Sequence, residues 1–260
     1  MSRDHRDHHD HVRRQFAASA ERYRTSATHA RGRSLERLLD LAEPKTGWTV
    51  LDAATGAGHT AATLAPHVAL VVAGDMTREM LAQAALVVRE RGLGNIRFVR
   101  ENAQALAYRD RVFDLVTCRV AAHHFPQPGR FVAEAARVLR PGGRLVVIDN
   151  LVPEDPAPAG WLNDFERRRD PSHAQCLSLE QWRRCFRDQG LGMLHVEVSG
   201  KRFDFREWMA RMNASEPATR RMGEELLAAP DPVRAFWEPA TDAGRIGFTL
   251  REAILVGAAA

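Results

Sequence analysis

The chain has 260 residues, 45% apolar and 27% charged, a balance that supports one globular domain with a small embellishment and excludes a largely disordered chain. Its formal charge of +4 comes from 35 arginines and two lysines, Lys45 and Lys201, interleaved with 33 acids; nucleic-acid binders concentrate cations on one face, so no nucleic-acid partner is expected. Three scattered cysteines, no apolar run near the roughly 20 residues of a membrane span, and no apolar leader argue for a cytoplasmic protein with no disulfide framework, metal site or membrane span.

Residues 1–11 hold four histidines among alternating charges. A disordered tail is expected there, since nothing nearby fixes a coordination geometry. From Val12 to Leu41, Phe16, Ala20, Tyr23, Leu35, Leu38 and Leu39 recur at helical intervals, which predicts two helices with a break around Thr25 to Thr28. Short apolar runs then alternate with amphipathic stretches. Trp48 to Leu51, Val68 to Ala73, Ile96 to Val99, Val112 to Cys118 and Leu145 to Ile148 read as strands, and Thr60 to Leu64, Glu79 to Arg91 and Arg130 to Leu139 as helices. Such alternation demands a mostly parallel sheet covered on both faces. Arg140-Pro141-Gly142-Gly143 stops the third helix. The Pro-rich PEDPAPAG that follows Val152 reads as a loop. Beyond it come an amphipathic stretch from Trp161 to Arg169, a helix from Leu179 to Gln189 and a strand from Met193 to Val198. Helical segments at Phe205 to Met212 and Pro217 to Leu227 and a last strand near Ala253 to Val256 complete the chain.

The most informative segment is VLDAATGAGHT, residues 50–60, where a strand ends in an acid and a turn of small residues opens a helix. Small residues let the backbone approach a ligand closely. Gly56, Gly58 and Ala61 fit G-x-G-x-x-G/A, and Asp75 ends the next strand, where an acid grips a ribose. This pattern predicts an adenosine cofactor, either a nicotinamide dinucleotide or S-adenosylmethionine. Asp52 favours the second: ahead of the loop it would repel a pyrophosphate and welcome a methionine amine. Tyr23 and Tyr108, the two tyrosines, also lack the lysine four residues on that a short-chain dehydrogenase uses.

These motifs, continued by VVAGDMT, RENAQAL, FDLVTCRVAAHHF and EAARVLRPGGRLVVID in order, resemble the class I S-adenosylmethionine-dependent methyltransferases. The resemblance is to the branch similar to the ubiquinone and menaquinone biosynthesis C-methyltransferases. It implies an α/β, doubly wound, seven-stranded and mostly parallel sheet of order 3-2-1-4-5-7-6 whose last strand is antiparallel. N-terminal helices and a helical lid insertion would accompany it. Residues 12–260 would form one methyltransferase domain, with a cofactor core at 12–150, lid and acceptor elements at 151–230 and a C-terminal strand region at 231–260. Carried over by position, Asp52, Ala54, Gly56 and Gly58 would surround the methionine portion, with Ala54 in place of a glycine tolerated at negative φ. Asp75 would hold the ribose, Met76 an adenine face, Asn102 and Ala103 the adenine edge, and Arg119 would lie near the sulfonium.

His123 and His124 follow the fourth strand at the ligand-binding edge. Either can serve as a general base, and neighbouring side chains there point in different directions, so at most one should reach the acceptor. Packing is the competing role. Tyr23, Phe16, Trp161, Phe165 and His173 are candidates for a roof over a flat, partly apolar acceptor. The Arg167–Arg169 run would meet an anionic acceptor or form a solvated helix face. The expected activity is methyl transfer from S-adenosylmethionine to carbon, oxygen or nitrogen of a small molecule by a monomer or homodimer. The alternatives are an NAD(P)-binding oxidoreductase, a non-catalytic S-adenosylmethionine-binding protein, and an RNA methyltransferase, for which no appended RNA-binding module is found.

Overall fold

A computed structural model describes residues 11–17, 20–21, 24 and 32–260. The expected tail up to residue 10, the expected break at 25–28 and Tyr23 lie outside the described residues. Residues 11–17 are helical, and α1 spans Arg33–Ala42.

The sheet begins with β1 (Thr49–Ala53), and α2 (His59–Leu64) leads to β2 (Leu70–Asp75). Helix α3 (Arg78–Glu90), β3 (Ile96–Arg100), β4 (Phe113–Arg119), α4 (Pro128–Val138) and β5 (Leu139–Asn150) complete the parallel half. These strands form because short Val-, Leu- and Ile-rich runs bury both faces. In β1, Leu51 and Ala53 join the cluster that includes Val116 and Val147, whereas Val50 joins the opposite cluster with Val71, Leu115 and Ile148. Each such side chain contributes about 1.5–3 kcal/mol when fully buried. Helix α4 stops at Val138 because Leu139 already pairs with Phe113, and the pairing slips across the Pro-Gly-Gly turn before Arg144 meets Leu115.

The C-terminal half carries α5 (Pro156–Arg169), α6 (Leu179–Asp188), β6 (Gly192–Asp204), α7 (Phe205–Ala210), α8 (Glu216–Leu227), α9 (Asp231–Trp237), β7 (Ala240–Asp242) and β8 (Arg245–Ala258). The order is β3-β2-β1-β4-β5-β8-β6, with β8 antiparallel to both neighbours and the short β7 added against β8. Apart from that extra hairpin strand, this is the expected sheet. PEDPAPAG is not a simple loop: Asp155 caps α5 by accepting the Ala157 N–H at 3.0 Å, and proline is tolerated in a first helical turn. Helices α5, α7, α8 and α9 enclose their own apolar cluster against the outer half of β8. No helix among the described residues is long and apolar enough to cross a membrane.

The order of strand addition reverses at β1: the chain builds outward through β2 and β3 on one side and then returns to lay β4 parallel to β1 on the other. A parallel sheet opens a crevice at the carboxyl ends of its strands at such a switch point.

Candidate active site

That crevice is a cleft of about 920 Å³, including the open solvent at its mouth. Its wall includes the Ala54–Ala57 turn, Asp75, Met76, Asn102 and Ala103, and also Arg119, Val120, His124, Phe125 and Phe16.

The turn after β1 is shaped by three left-handed residues, Ala54 (φ 53), Gly56 (φ 56) and Gly58 (φ 79). Ala54 therefore does not take the negative φ expected of it. It keeps a conformation costing on the order of 1–3 kcal/mol for a non-glycine residue. Gly56 has nothing within 4 Å of where a Cβ would stand, so the main chain there is open to a ligand. Gly58 lies behind the cleft rather than on its wall. A Cβ on it would come 2.7 Å from that of Ala84, so its bare Cα lets α2 start close against α3.

Asp52 is also behind the wall, only 1% exposed. Its carboxylate accepts from the Thr55 hydroxyl (2.5 Å), the Thr117 hydroxyl (2.7 Å) and the Ala61 N–H (3.1 Å). Three protein donors thus engage the carboxylate in a scaffolding position, and Asp52 does not line the cleft in which the methionine amine was expected. Burial pushes its pKa up to about 6, against the lowering effect of those donors and of Arg119. The native pKa exceeds the unfolded value of about 3.9, so between the two the native state binds the extra proton and stability falls as pH rises. Ionised Asp52 then costs about 3 kcal/mol at neutral pH. Asp52→Asn retains one acceptor, and both threonine hydroxyls can rotate to suit the amide. The variant should melt higher than the wild type at pH 8, with the difference shrinking toward pH 4. Thermal unfolding at both pH values checks this; a wild type that gains on the variant as pH rises contradicts it.

Asp75 closes β2. Its Oδ2 accepts the Gly56 N–H at 2.9 Å and its Oδ1 the Thr77 N–H at 2.8 Å. Burial raises its pKa, opposed by these backbone donors. Each carboxylate oxygen has a second acceptor site, and the residue stands in the cleft wall. Asp75 thus supports the loop and faces the ligand space together. Asn102 uses Oδ1 to accept the Gln104 N–H at 2.9 Å, a local turn that holds Ala103 against the cleft. Arg119 reaches Thr60 Oγ1 at 3.1 Å through Nε, and burial lowers its pKa while Glu252 and Asp52 raise it. The next residue, Val120, has φ 53 in the cleft wall. A β-branched residue in that region is a true outlier, of the kind concentrated at functional sites.

The two histidines separate. His123 is not in the cleft wall: its Nδ1 lies 2.6 Å from Asp149 Oδ1, its N–H donates to Asp149 Oδ2 at 2.8 Å, and its ring stacks on His173. Burial works against a charge on His123, but Asp149 outweighs it and the pKa is raised. His124 lines the cleft, edge-on to Phe16 at 4.8 Å. Burial first, then the neighbouring His123, holds its pKa well below the ordinary imidazole range. His124 is uncharged at neutral pH.

Other expected roof residues lie elsewhere. Trp161 stacks on Phe165 at 5.0 Å inside the α5–α9 cluster, because α5 turns its aromatic face to its own helices. His173 faces Asn163, with Nε2 2.9 Å from Oδ1, and does not line the cleft. Of the arginine run, Arg168 pairs with Glu225 at 2.6 Å, and Arg169 pairs with Glu166 at 3.1 Å and covers Trp208. Sequence reasoning missed Val12, Thr55, His59, Thr60, Glu101 and Gln104 in the wall. Of these, Thr55, His59 and Thr60 fall within VLDAATGAGHT and Glu101 and Gln104 within RENAQAL, whereas Val12 stands in neither motif.

Comparison with known proteins agrees with this architecture. Residues 51–147 match the methyltransferase domain family. YcgJ of Bacillus subtilis strain 168, an uncharacterized methyltransferase, is 34% identical over 84% of this chain and 87% of its own length. The crystal structure of the YcgJ protein superposes with a TM-score of 0.83 at 32% identity, covering 87% of this chain and 97% of that one. The ubiquinone/menaquinone biosynthesis C-methyltransferase UbiE of Serratia proteamaculans strain 568 is 34% identical over 43% of this chain and 46% of its own length. The chain belongs to the class I S-adenosylmethionine-dependent methyltransferases.

Proposed function

We propose that the cleft binds S-adenosylmethionine with its ribose on Asp75, its adenine between Met76 and the Asn102–Ala103 turn, and its methionine end along the Ala54–Ala57 backbone. The methyl group passes to an oxygen or carbon of a small, partly apolar acceptor beside His124. One observation carries this reading: the open-backed glycine turn, Asp75 and an uncharged His124 share one cleft wall. The bound cofactor supplies a methyl on a sulfonium, so displacement breaks a C–S bond and leaves its electron pair on sulfur as S-adenosylhomocysteine.

The chain's own part is alignment, exclusion of water and removal of a proton. Phe16, Val120 and Phe125 furnish apolar wall at the acceptor end. His124, being uncharged, takes the proton that the acceptor sheds. Its depressed pKa makes it a weak base, which suffices for the strongly acidic oxonium or arenium formed by methylating a hydroxyl or an aromatic carbon. It does not suffice for an alkylammonium, and this favours oxygen or carbon over an amine. UbiE, which shares part of this core, is named for carbon methylation.

Titration calorimetry tests the reading directly. S-adenosylhomocysteine should bind and NAD⁺ should not; the reverse outcome ends the proposal. Release of S-adenosylhomocysteine in a screen of quinols, phenols and metabolite extracts separates an enzyme from a non-catalytic binder, and turnover with amines alone would remove the oxygen-or-carbon assignment.

A further inference from the structure

The segment after α5, Asp170-Pro171-Ser172-His173-Ala174-Gln175, closes over the back of the two histidines. Ala174 and Gln175 both donate their N–H to the His123 carbonyl, at 2.9 and 3.0 Å. Ser172, wholly buried, brings its carbonyl oxygen to 3.0 Å and its Oγ to 3.2 Å from His124 Nδ1. Behind it, Asp170 is 3% exposed, and its Oδ1 lies 2.5 Å from Ser172 Oγ while also accepting the Ser172 N–H at 2.9 Å.

The proton inventory of this chain of atoms has one solution. A hydroxyl owns one hydrogen, and an ionised carboxylate only accepts. Ser172 must therefore donate its hydrogen to Asp170, which leaves Oγ with acceptor capacity toward the imidazole. The Ser172 carbonyl is likewise an acceptor. With acceptors on both approaches, Nδ1 carries the ring hydrogen, and the lone pair of the neutral ring is on Nε2.

We infer that Asp170, acting through Ser172, is a positioning residue that fixes His124 in the Nδ1–H tautomer. The inference rests on the base role proposed for His124. Asp170 touches neither nitrogen of that ring in this chain of bonds; it acts by committing the serine hydrogen. Without it the hydroxyl can turn and donate to Nδ1 in competition with the Ser172 carbonyl, which populates the Nε2–H ring and removes the lone pair a base needs from that fraction. A lid segment distant in sequence thereby sets the protonation pattern of a cleft residue. His123 has no such intermediary, because Asp149 meets its Nδ1 directly.

Long-range proton–nitrogen NMR on ¹⁵N-histidine-labelled full chain at pH 7 reads the tautomer without any acceptor, with His124→Gln assigning the signal. The wild type should show Nδ1–H. Ser172→Ala should keep it through the remaining carbonyl, and Asp170→Asn should keep it because the amide oxygen still accepts. Asp170→Ala should add a fraction of Nε2–H ring to the Nδ1–H form that the carbonyl still favours, and adding Ser172→Ala to it should abolish that fraction. A merely structural Asp170 gives no such reversal. An Nε2–H ring in the wild type or in Ser172→Ala overturns the inference even if Asp170→Ala does not fold; so does an unchanged ring in folded Asp170→Ala. Calorimetry with S-adenosylhomocysteine on the same samples reports separately on the cofactor reading, which fails only if the wild type does not bind.

Discussion

Replacing His124 by glutamine should lower S-adenosylhomocysteine release with the cognate acceptor by about 10². This is the lower end of the usual worth of a positioned general base, because the depressed pKa of His124 makes it a weak one. Affinity for S-adenosylhomocysteine should stay within about threefold, equivalent to well under 1 kcal/mol. The reason lies in how the site divides its work. The proposed adenosine contacts are Asp75, Met76 and the Asn102–Ala103 turn, and His124, packed edge-on against Phe16, is not among them. Glutamine preserves a polar planar group of similar reach, so the loss measures proton transfer rather than a hole in the wall. The pH dependence adds a second readout. Because burial and His123 hold His124 below the ordinary imidazole range, its lone pair is already available at pH 6. The rate should therefore not drop near pH 6.5 but only in more acidic solution. A midpoint at the ordinary imidazole value, or a fully active glutamine variant, would take the base role away from His124. His123→Gln should behave differently. It removes the ring held by Asp149 at 2.6 Å while leaving the backbone bond to the same carboxylate, so its loss should appear in stability as well as in rate.

Why the two histidines were indistinguishable in the sequence is instructive. They are adjacent, equally apolar in context, and share a 3-10 turn at the same sheet edge. Only what lies behind each ring separates them: a carboxylate from the end of β5 behind His123, and a serine from a segment almost fifty residues later behind His124. Contacts of that span leave no periodic trace. The parallel half of the fold was legible for the opposite reason. Its strands are short apolar runs whose facing clusters follow a strict alternation, as Val50, Leu51 and Ala53 do in β1. The glycine turn was legible as a ligand loop, but not its internal division. Gly56 faces open space while Gly58 packs on Ala84, and Asp52 is consumed by Thr55, Thr117 and Ala61, two of which are neighbours by strand connection and helix start. Trp161 looked like a roof residue because it is an aromatic side chain directly after a proline-rich stretch. The fold instead uses that stretch to begin α5, whose aromatic side belongs to the outer cluster.

The second large effect belongs to Asp75. Asp75→Ala should weaken S-adenosylhomocysteine binding by about 1.5–3 kcal/mol, the range for hydrogen bonds to a charged group, which is roughly ten- to 150-fold in Kd. Two contributions combine in that number, and they can be separated. The carboxylate holds the Gly56 N–H and the Thr77 N–H, so its removal loosens the loop for any ligand. If the carboxylate also takes the ribose hydroxyls, as proposed, its removal forfeits them as well. An analogue lacking the 2′-hydroxyl distinguishes the two. If Asp75 reads the ribose, the wild type should prefer S-adenosylhomocysteine to its 2′-deoxy analogue, and the alanine variant should lose most of that preference. Asp75→Asn should fall between, because an amide oxygen can retain one backbone donor but lacks the charge that strengthens acceptance from a hydroxyl. Equal discrimination in wild type and variant would confine Asp75 to supporting the loop. Unchanged affinity in the alanine variant would remove it from the site altogether and leave the cleft without the acid that the ribose assignment requires.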